Sequence, residues 1–156
     1  MTEPFTLQTV QNCRIGGDMK PVICQVRHDP PQSYGDCARA CVASILELPP
    51  EKVPHWFANE DGFEANKEMR EWLSLKGYML SYFALQSGMT LEAVLNYVDE
   101  WYGDIEFILL AETRSGGDHA VVCQSGKIIH DPAWYKTAII GPHSSGMWII
   151  MMLTKL

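Results

Sequence analysis

Positive charge is the first thing this sequence is short of. Twelve lysines and arginines face 19 aspartates and glutamates, a formal net charge of -7. A large nucleic-acid footprint needs a basic surface, so the balance argues against nucleic acid as a partner and leaves protein, peptide or small-molecule substrates. Long apolar runs are missing too. None approaches the roughly 18 residues that cross a bilayer, and residues 147–153 read as a buried strand. Met1-Thr2-Glu3-Pro4 has neither the basic start nor the apolar run of an export signal. Metal spacing is absent as well: there is no Cys-x-x-Cys or His-x-x-x-His, so no metal or other cofactor is expected. No internal repeat or low-complexity stretch breaks the chain. Cysteine is present in odd number (Cys13, Cys24, Cys37, Cys41 and Cys123), which points to free thiols in a reducing, cytoplasmic compartment. What is there fits one folded domain over 1–156: 47% hydrophobic and 20% charged residues in a chain long enough for one core.

The stretch that organises the chain is Gln32-Ser33-Tyr34-Gly35-Asp36-Cys37-Ala38-Arg39-Ala40-Cys41, a loop running into a helix with a cysteine at the junction. The helix begins near Asp36 or Cys37 and stops before Pro49-Pro50. Ala38, Cys41, Val42, Ile45, Leu46 and Leu48 recur at helical spacing as its buried face, and Asp36 is the expected N-cap. Its small residues mark it as central. Upstream, Phe5–Val10 and Pro21–Val26 read as edge strands or extended cover in an N-terminal extension over 1–30. Downstream come a helix over 63–76 stopped by Gly77, a strand over 78–85, and a helix over 91–101 capped by Thr90. Strands follow at 105–111, 119–124, 127–130 and 147–153, with Ser125-Gly126 as a hairpin turn. This order predicts an α+β domain with the helices first and an antiparallel sheet after them.

Two distant pieces of the chain supply what a nucleophilic cysteine needs. The N-terminal end of a helix favours negative charge, and the thiolate is the form that attacks a carbonyl. His119 opens a buried strand, and His130-Asp131-Pro132 ends its hairpin partner. A tight hairpin returns the second strand beside the first, so Asp131 can reach His119, fix its tautomer and support the imidazolium. Side chains alternate along a strand, so only one of His130 and Asp131 reaches His119, and Asp131 is the better orienter. Gln32 can aim its amide at an oxyanion beside the Cys37 backbone N–H.

The sequence of Gln32, Asp36-Cys37 at a helix start, His119-Ala120-Val121-Val122 on a strand and Asp131-Pro132 resembles the papain-like cysteine peptidases. It looks like the domains that process bacteriocin leaders. With Val53-Pro54-His55 and the run from Lys127 to Pro132, it is also similar to a group of small proteins common in bacteriophages and bacteria. The resemblance covers residues 30 to 153. It implies a papain-like fold with Gln32 as oxyanion donor, Cys37 as nucleophile, His119 as base and Asp131 as orienter, acting in the host cytoplasm if phage-encoded. Two departures stand: Ala38 follows the cysteine where the leader peptidases usually have Gly, and no transporter is attached.

Other residues carry weaker signals. Trp134, in the loop after Asp131, can rim a substrate cleft, and Gly117 and Asp118 flank His119 on the substrate side. Asp118 is badly placed to orient its own neighbour. Cys41, one turn after Cys37, reads as core, and so do most tryptophans by spacing. His55 reads as structural, and His28 and His143 give no signal. The expectation is a cysteine hydrolase cutting a peptide, isopeptide or related acyl bond through a Cys37 thioester. A catalytically silent papain-fold binding protein and an acyltransferase with the same Cys–His pair are the alternatives. Substrate identity and oligomeric state are not legible.

Overall fold

The computed structural model describes residues 19–59, 62–135 and 137–156, so the expected strand over 5–10 and Cys13 lie outside the described residues. Its elements run α1 (Cys37–Ile45), a 3-10 turn (Pro50–Lys52), α2 (Gly62–Leu75), β1 (Tyr78–Gln86), α3 (Leu91–Tyr102), β2 (Phe107–Thr113), β3 (Asp118–Gln124), β4 (Lys127–His130), β5 (Ile139–Pro142) and β6 (Met147–Lys155). The class is α+β as predicted. The six strands form one antiparallel sheet in the order β1-β6-β2-β3-β4, with β5 paired to β2. β1 precedes the third helix, as the element order predicts, but it joins the sheet as an outer strand, so the helices do not all come before the sheet.

The apolar strands make sense once both faces are covered. Phe107, Leu109, Val121, Cys123, Trp148, Ile150 and Met152 form one buried cluster with Val94, Leu95 and Val98 of α3. The alternate residues Ile108, Ala120, Val122 and Met151 join a second with Ala38, Cys41 and Val42 of α1 and Met69 and Leu73 of α2. A strand buried on both sides reads as continuous hydrophobic sequence, which is how residues 147–153 looked.

α1 is buried nearly all round: Ala38, Ala40, Cys41, Val42, Ala43 and Ser44 are all inaccessible. Small side chains let neighbouring backbone close in, and Ser44 Oγ accepts from the Val22 N–H at 2.9 Å while donating to the Ala40 carbonyl. The helix stops after Ile45 because Glu47 takes a left-handed φ of 55° and the proline pair follows. Gly77 (φ 81°) ends α2, and Thr90 Oγ1 caps α3 by accepting from the Ala93 N–H, both as expected. Ser125 (φ 50°) and Gly126 (φ 71°) give two consecutive positive φ values between β3 and β4, the backbone that a twisted two-residue hairpin requires.

Several expectations change. Asp36 occupies the N-cap position but makes no capping bond. Only 1% exposed, its carboxylate accepts from the Gln25 and Val26 N–H groups at 3.0 and 2.9 Å and from Arg39 Nε at 3.0 Å. Residues 21–26 are extended cover over the helix start and form no strand. Trp101 (68% exposed) and Trp134 (50%) are not core, whereas Trp56 and Trp148 are. β2 begins two residues later than expected, and β5 had no sequence signature.

Removing the Asp36 carboxylate strands a guanidinium and two backbone donors in a buried place. Asp36→Ala is therefore expected to lose stability on the order of 3 kcal/mol, read from urea unfolding. A loss below about 0.5 kcal/mol would show that the tether is not structural.

Candidate active site

Cys37 is the first residue of α1, so its N–H has no intrahelical acceptor. It lies half-buried on the wall of a cavity of about 780 Å³ whose lining also holds Cys24, His28, Tyr34, Gly35, His119 and Tyr135. His119 projects from the start of β3 and is 6% exposed.

The hairpin does for His119 what its turn chemistry promised. Val122 pairs with His130, and a register shift between Val122 and Cys123 follows. Asp131 then reaches back, and its Oδ1 lies 2.7 Å from His119 Nε2. The same oxygen accepts from the Ala133 N–H at 3.0 Å, which fixes the carboxylate. His130 turns the other way and hydrogen-bonds through Nε2 to the Val22 carbonyl at 2.8 Å. The choice between the two neighbours therefore falls on Asp131, and His130 becomes a pin for the extended cover. Cys24 N–H adds a second pin, donating to the Pro132 carbonyl at 2.8 Å.

The electrostatics follow from these contacts. Burial works against a charged His119 ring, but hydrogen bonds to Asp131 and to Cys37, with the negative charges behind them, outweigh it and raise the imidazole from 6.5 to about 9. With Nε2 held by Asp131, Nδ1 is the ring nitrogen left for the Cys37 sulfur. Burial also opposes ionisation of Asp131, and the His119 and Ala133 hydrogen bonds reverse that and lower its pKa. Burial is the main cause that pushes the Cys24, Cys41 and Cys123 thiols up, and nearby thiols and carboxylates add to it at Cys24 and Cys41. Cys41 is fully buried, as expected of a packing residue.

Of the remaining sequence candidates, Gly117 and Asp118 line the cavity and two do not. Gln32 is exposed in the turn that closes with the Asp29–Ser33 bridge, and it is not among the described residues lining the cavity. Its own turn carries it outward. Trp134 is likewise outside the lining; its neighbour Tyr135 takes that place, edge-on to Trp134 and 5.3 Å beneath the Arg27 guanidinium. Asp118 does not orient His119. It takes the Ser144 N–H at 2.8 Å and pairs with His143 Nε2 at 3.1 Å, tying the loop before β3 to the turn after β5. His55 Nε2 bonds the Tyr34 carbonyl at 2.8 Å, a structural role as expected.

Among the histidines and cysteines of the lining, three went unrecognised: Cys24, His28 and His143. Each sits in extended or loop chain without periodicity, and each reaches the cavity through contacts far away in sequence. Among the described residues, no three His, Cys, Asp or Glu side chains converge as metal ligands would. No helix among them is long and apolar enough to cross a membrane. No family model, curated protein or solved structure matches the chain.

The His119–Asp131 pair makes stability depend on pH with a definite sign. A raised imidazole stabilises the fold fully below its unfolded value of 6.5 and loses that contribution as pH climbs to about 9. The lowered carboxylate contributes above 3.8 and fades as pH falls through its folded value. The stability gap between wild type and Asp131→Asn, measured by urea unfolding, is expected to be widest between about pH 4 and 6.5 and to narrow by pH 9.5. A gap that widens with rising pH would contradict this assignment.

Proposed function

We propose that the chain is a papain-like cysteine hydrolase that cuts a peptide, isopeptide or related acyl bond through a thioester on Cys37. One observation carries the reading: His119 shares the cavity wall with Cys37, and Asp131 Oδ1 lies 2.7 Å from its Nε2, with the imidazole raised to about 9 by these neighbours. A histidine held this way is suited to take the proton that a cysteine nucleophile at a helix start must give up. A cysteine helix packed on an antiparallel sheet, with histidine and carboxylate from two hydrogen-bonded strands, is the layout the papain-like reading needs.

In the proposed reaction the Cys37 sulfur lone pair forms the bond to the carbonyl carbon, and the carbonyl π pair moves onto oxygen. Collapse restores the carbonyl and breaks the bond to the leaving group, which takes its proton from the His119 imidazolium. Water then loses a proton to His119, attacks the thioester and displaces the thiolate, which completes hydrolysis. Asp131 keeps the ring oriented in both halves. An amine in place of water would make the same site an acyltransferase.

A protein or peptide substrate suits the cavity. Tyr34, Phe57, Tyr82 and Tyr135 offer apolar walls. Asn66 Oδ1 and Thr137 Oγ1, both on lining residues, are buried without a hydrogen-bond partner among the described residues, and an extended peptide backbone carries the groups to engage them. Free Cys24, Cys37, Cys41 and Cys123 fit work in a reducing compartment such as the cytoplasm.

Iodoacetamide at pH 7 is expected to label Cys37 at least about tenfold faster than Cys24 or Cys123, with the rate at Cys37 falling in His119→Ala, as peptide mapping by mass spectrometry will read. Peptide cleavage, screened on a proteome-derived library, is expected to vanish in Cys37→Ala. Equal labelling of all three thiols would overturn the nucleophile assignment. Fast labelling of Cys37 without turnover of any acyl substrate would instead favour a catalytically silent binding protein.

A further inference from the structure

We infer that His28, and not Gln32, supplies the side-chain donor of the oxyanion hole; this rests on Cys37 being the acyl-transfer nucleophile. His28 lies in the extended cover nine residues before Cys37 and lines the same cavity. It lies between the two lips of that cavity. On one side is Gly35, two residues before Cys37, and on the other is Gly117, two residues before His119.

The contact with Gly35 sets both place and tautomer. The Gly35 N–H donates to His28 Nδ1 at 3.3 Å, so in the neutral ring the proton resides on Nε2. A Cβ on Gly35 would stand 3.0 Å from the His28 Cβ, tighter than nearly all such contacts, so glycine there lets the histidine approach the loop before Cys37 without displacement. The opposite ring edge faces Gly117: a Cβ built there would lie 3.5 Å from His28 Cδ2 and 3.7 Å from Nε2. An N–H is thus presented between the residues leading to the nucleophile and those leading to the base.

The turn that removes Gln32 from the cavity is the one that installs His28. Asp29 and Ser33 exchange two backbone hydrogen bonds at 3.0 and 3.1 Å, and Ser33 Oγ donates to the Arg27 carbonyl at 2.7 Å. These close residues 27–28 onto 33–35. The Asp36 carboxylate holds Gln25 and Val26 from the other end, and the Tyr34 ring stands edge-on to the imidazole at 6.0 Å. When the sulfur attacks, the electron pair displaced onto the carbonyl oxygen is met by two donors, the Cys37 N–H and the His28 Nε2–H. Both hydrogen bonds weaken as the carbonyl re-forms and the leaving group departs with the His119 proton.

Two probes separate this role from the nucleophile's. Iodoacetamide displaces iodide at a saturated carbon and builds no oxyanion, whereas p-nitrophenyl acetate acylates Cys37 through one. Relative to wild type, His28→Ala and His28→Phe are expected to lower the nitrophenolate burst rate about 100-fold while changing iodoacetamide labelling of Cys37 by less than about threefold. His28→Gln, which keeps a donor, is expected to recover at least tenfold of the loss. Gly35→Ala, which displaces His28, is expected to follow His28→Ala. An unchanged burst in His28→Ala, or equal slowing of both probes, overturns the oxyanion role and leaves the nucleophile standing. Slow labelling of Cys37 in wild type overturns the nucleophile itself, and the inference with it.

Discussion

The Asp36 carboxylate is the constraint on which the site depends. It is buried one residue before Cys37, and it holds chain that is far away in sequence. By holding the Gln25 and Val26 N–H groups it lays residues 22–28 across the start of α1, and by pairing with Arg39 it ties that cover to the helix itself. A buried ion pair is a poor source of net stability, since desolvating both charges costs about what their attraction returns. Its worth here is positional. Cys24, Val26, Arg27 and His28 enter the cavity lining because this carboxylate, Ser44 and His130 fix their backbone at three points.

The second half of the site depends on hairpin geometry. Ser125-Gly126 sets the turn, and the register shift beyond it rephases β4 against β3. His130 and Asp131 then do opposite jobs as sequence neighbours, one pinning the cover and one orienting His119. One tight turn thus serves two walls of the same cavity. The extended cover closes the circuit through Cys24 and Pro132, so the cysteine and histidine lips are tied to each other by backbone.

How much of this could be read beforehand follows the range of each interaction. α1, the Gly77 and Thr90 helix boundaries and the β3–β4 hairpin rest on local periodicity and turn chemistry, and they stand as expected. So does the pairing of His119 with Asp131, because strand alternation already separated Asp131 from His130. Asp36 was misassigned as a cap because local preference is only a prior, and the tertiary demand for an acceptor at Gln25 and Val26 overrode it. β5 escaped notice because Ile139–Pro142 is four residues ending in Gly141-Pro142, with no alternation to detect. Gln32 and Trp134 looked well placed by sequence distance, yet a tight turn and a one-residue difference in direction point them outward. His28 had no local signature, since its position depends on a glycine seven residues further along the chain.

Charge around the cavity has a consistent logic despite the acidic chain. Among the described residues, the carboxylates near Cys37 each have a hydrogen-bonding partner. Asp36 is paired with Arg39, Asp131 with His119, and Asp118 with His143. Burial raises the Cys24, Cys41 and Cys123 thiols, and at Cys24 these same negative charges add to it. Under the proposed reading, the helix start and the His119 imidazole are groups that would favour negative charge at the Cys37 sulfur. The formal charge of the whole chain acts over the surface and is screened by salt within about 8 Å at physiological ionic strength. The local pairs are shielded far less. These local pairs, more than the formal charge of the whole chain, set the electrostatics beside Cys37.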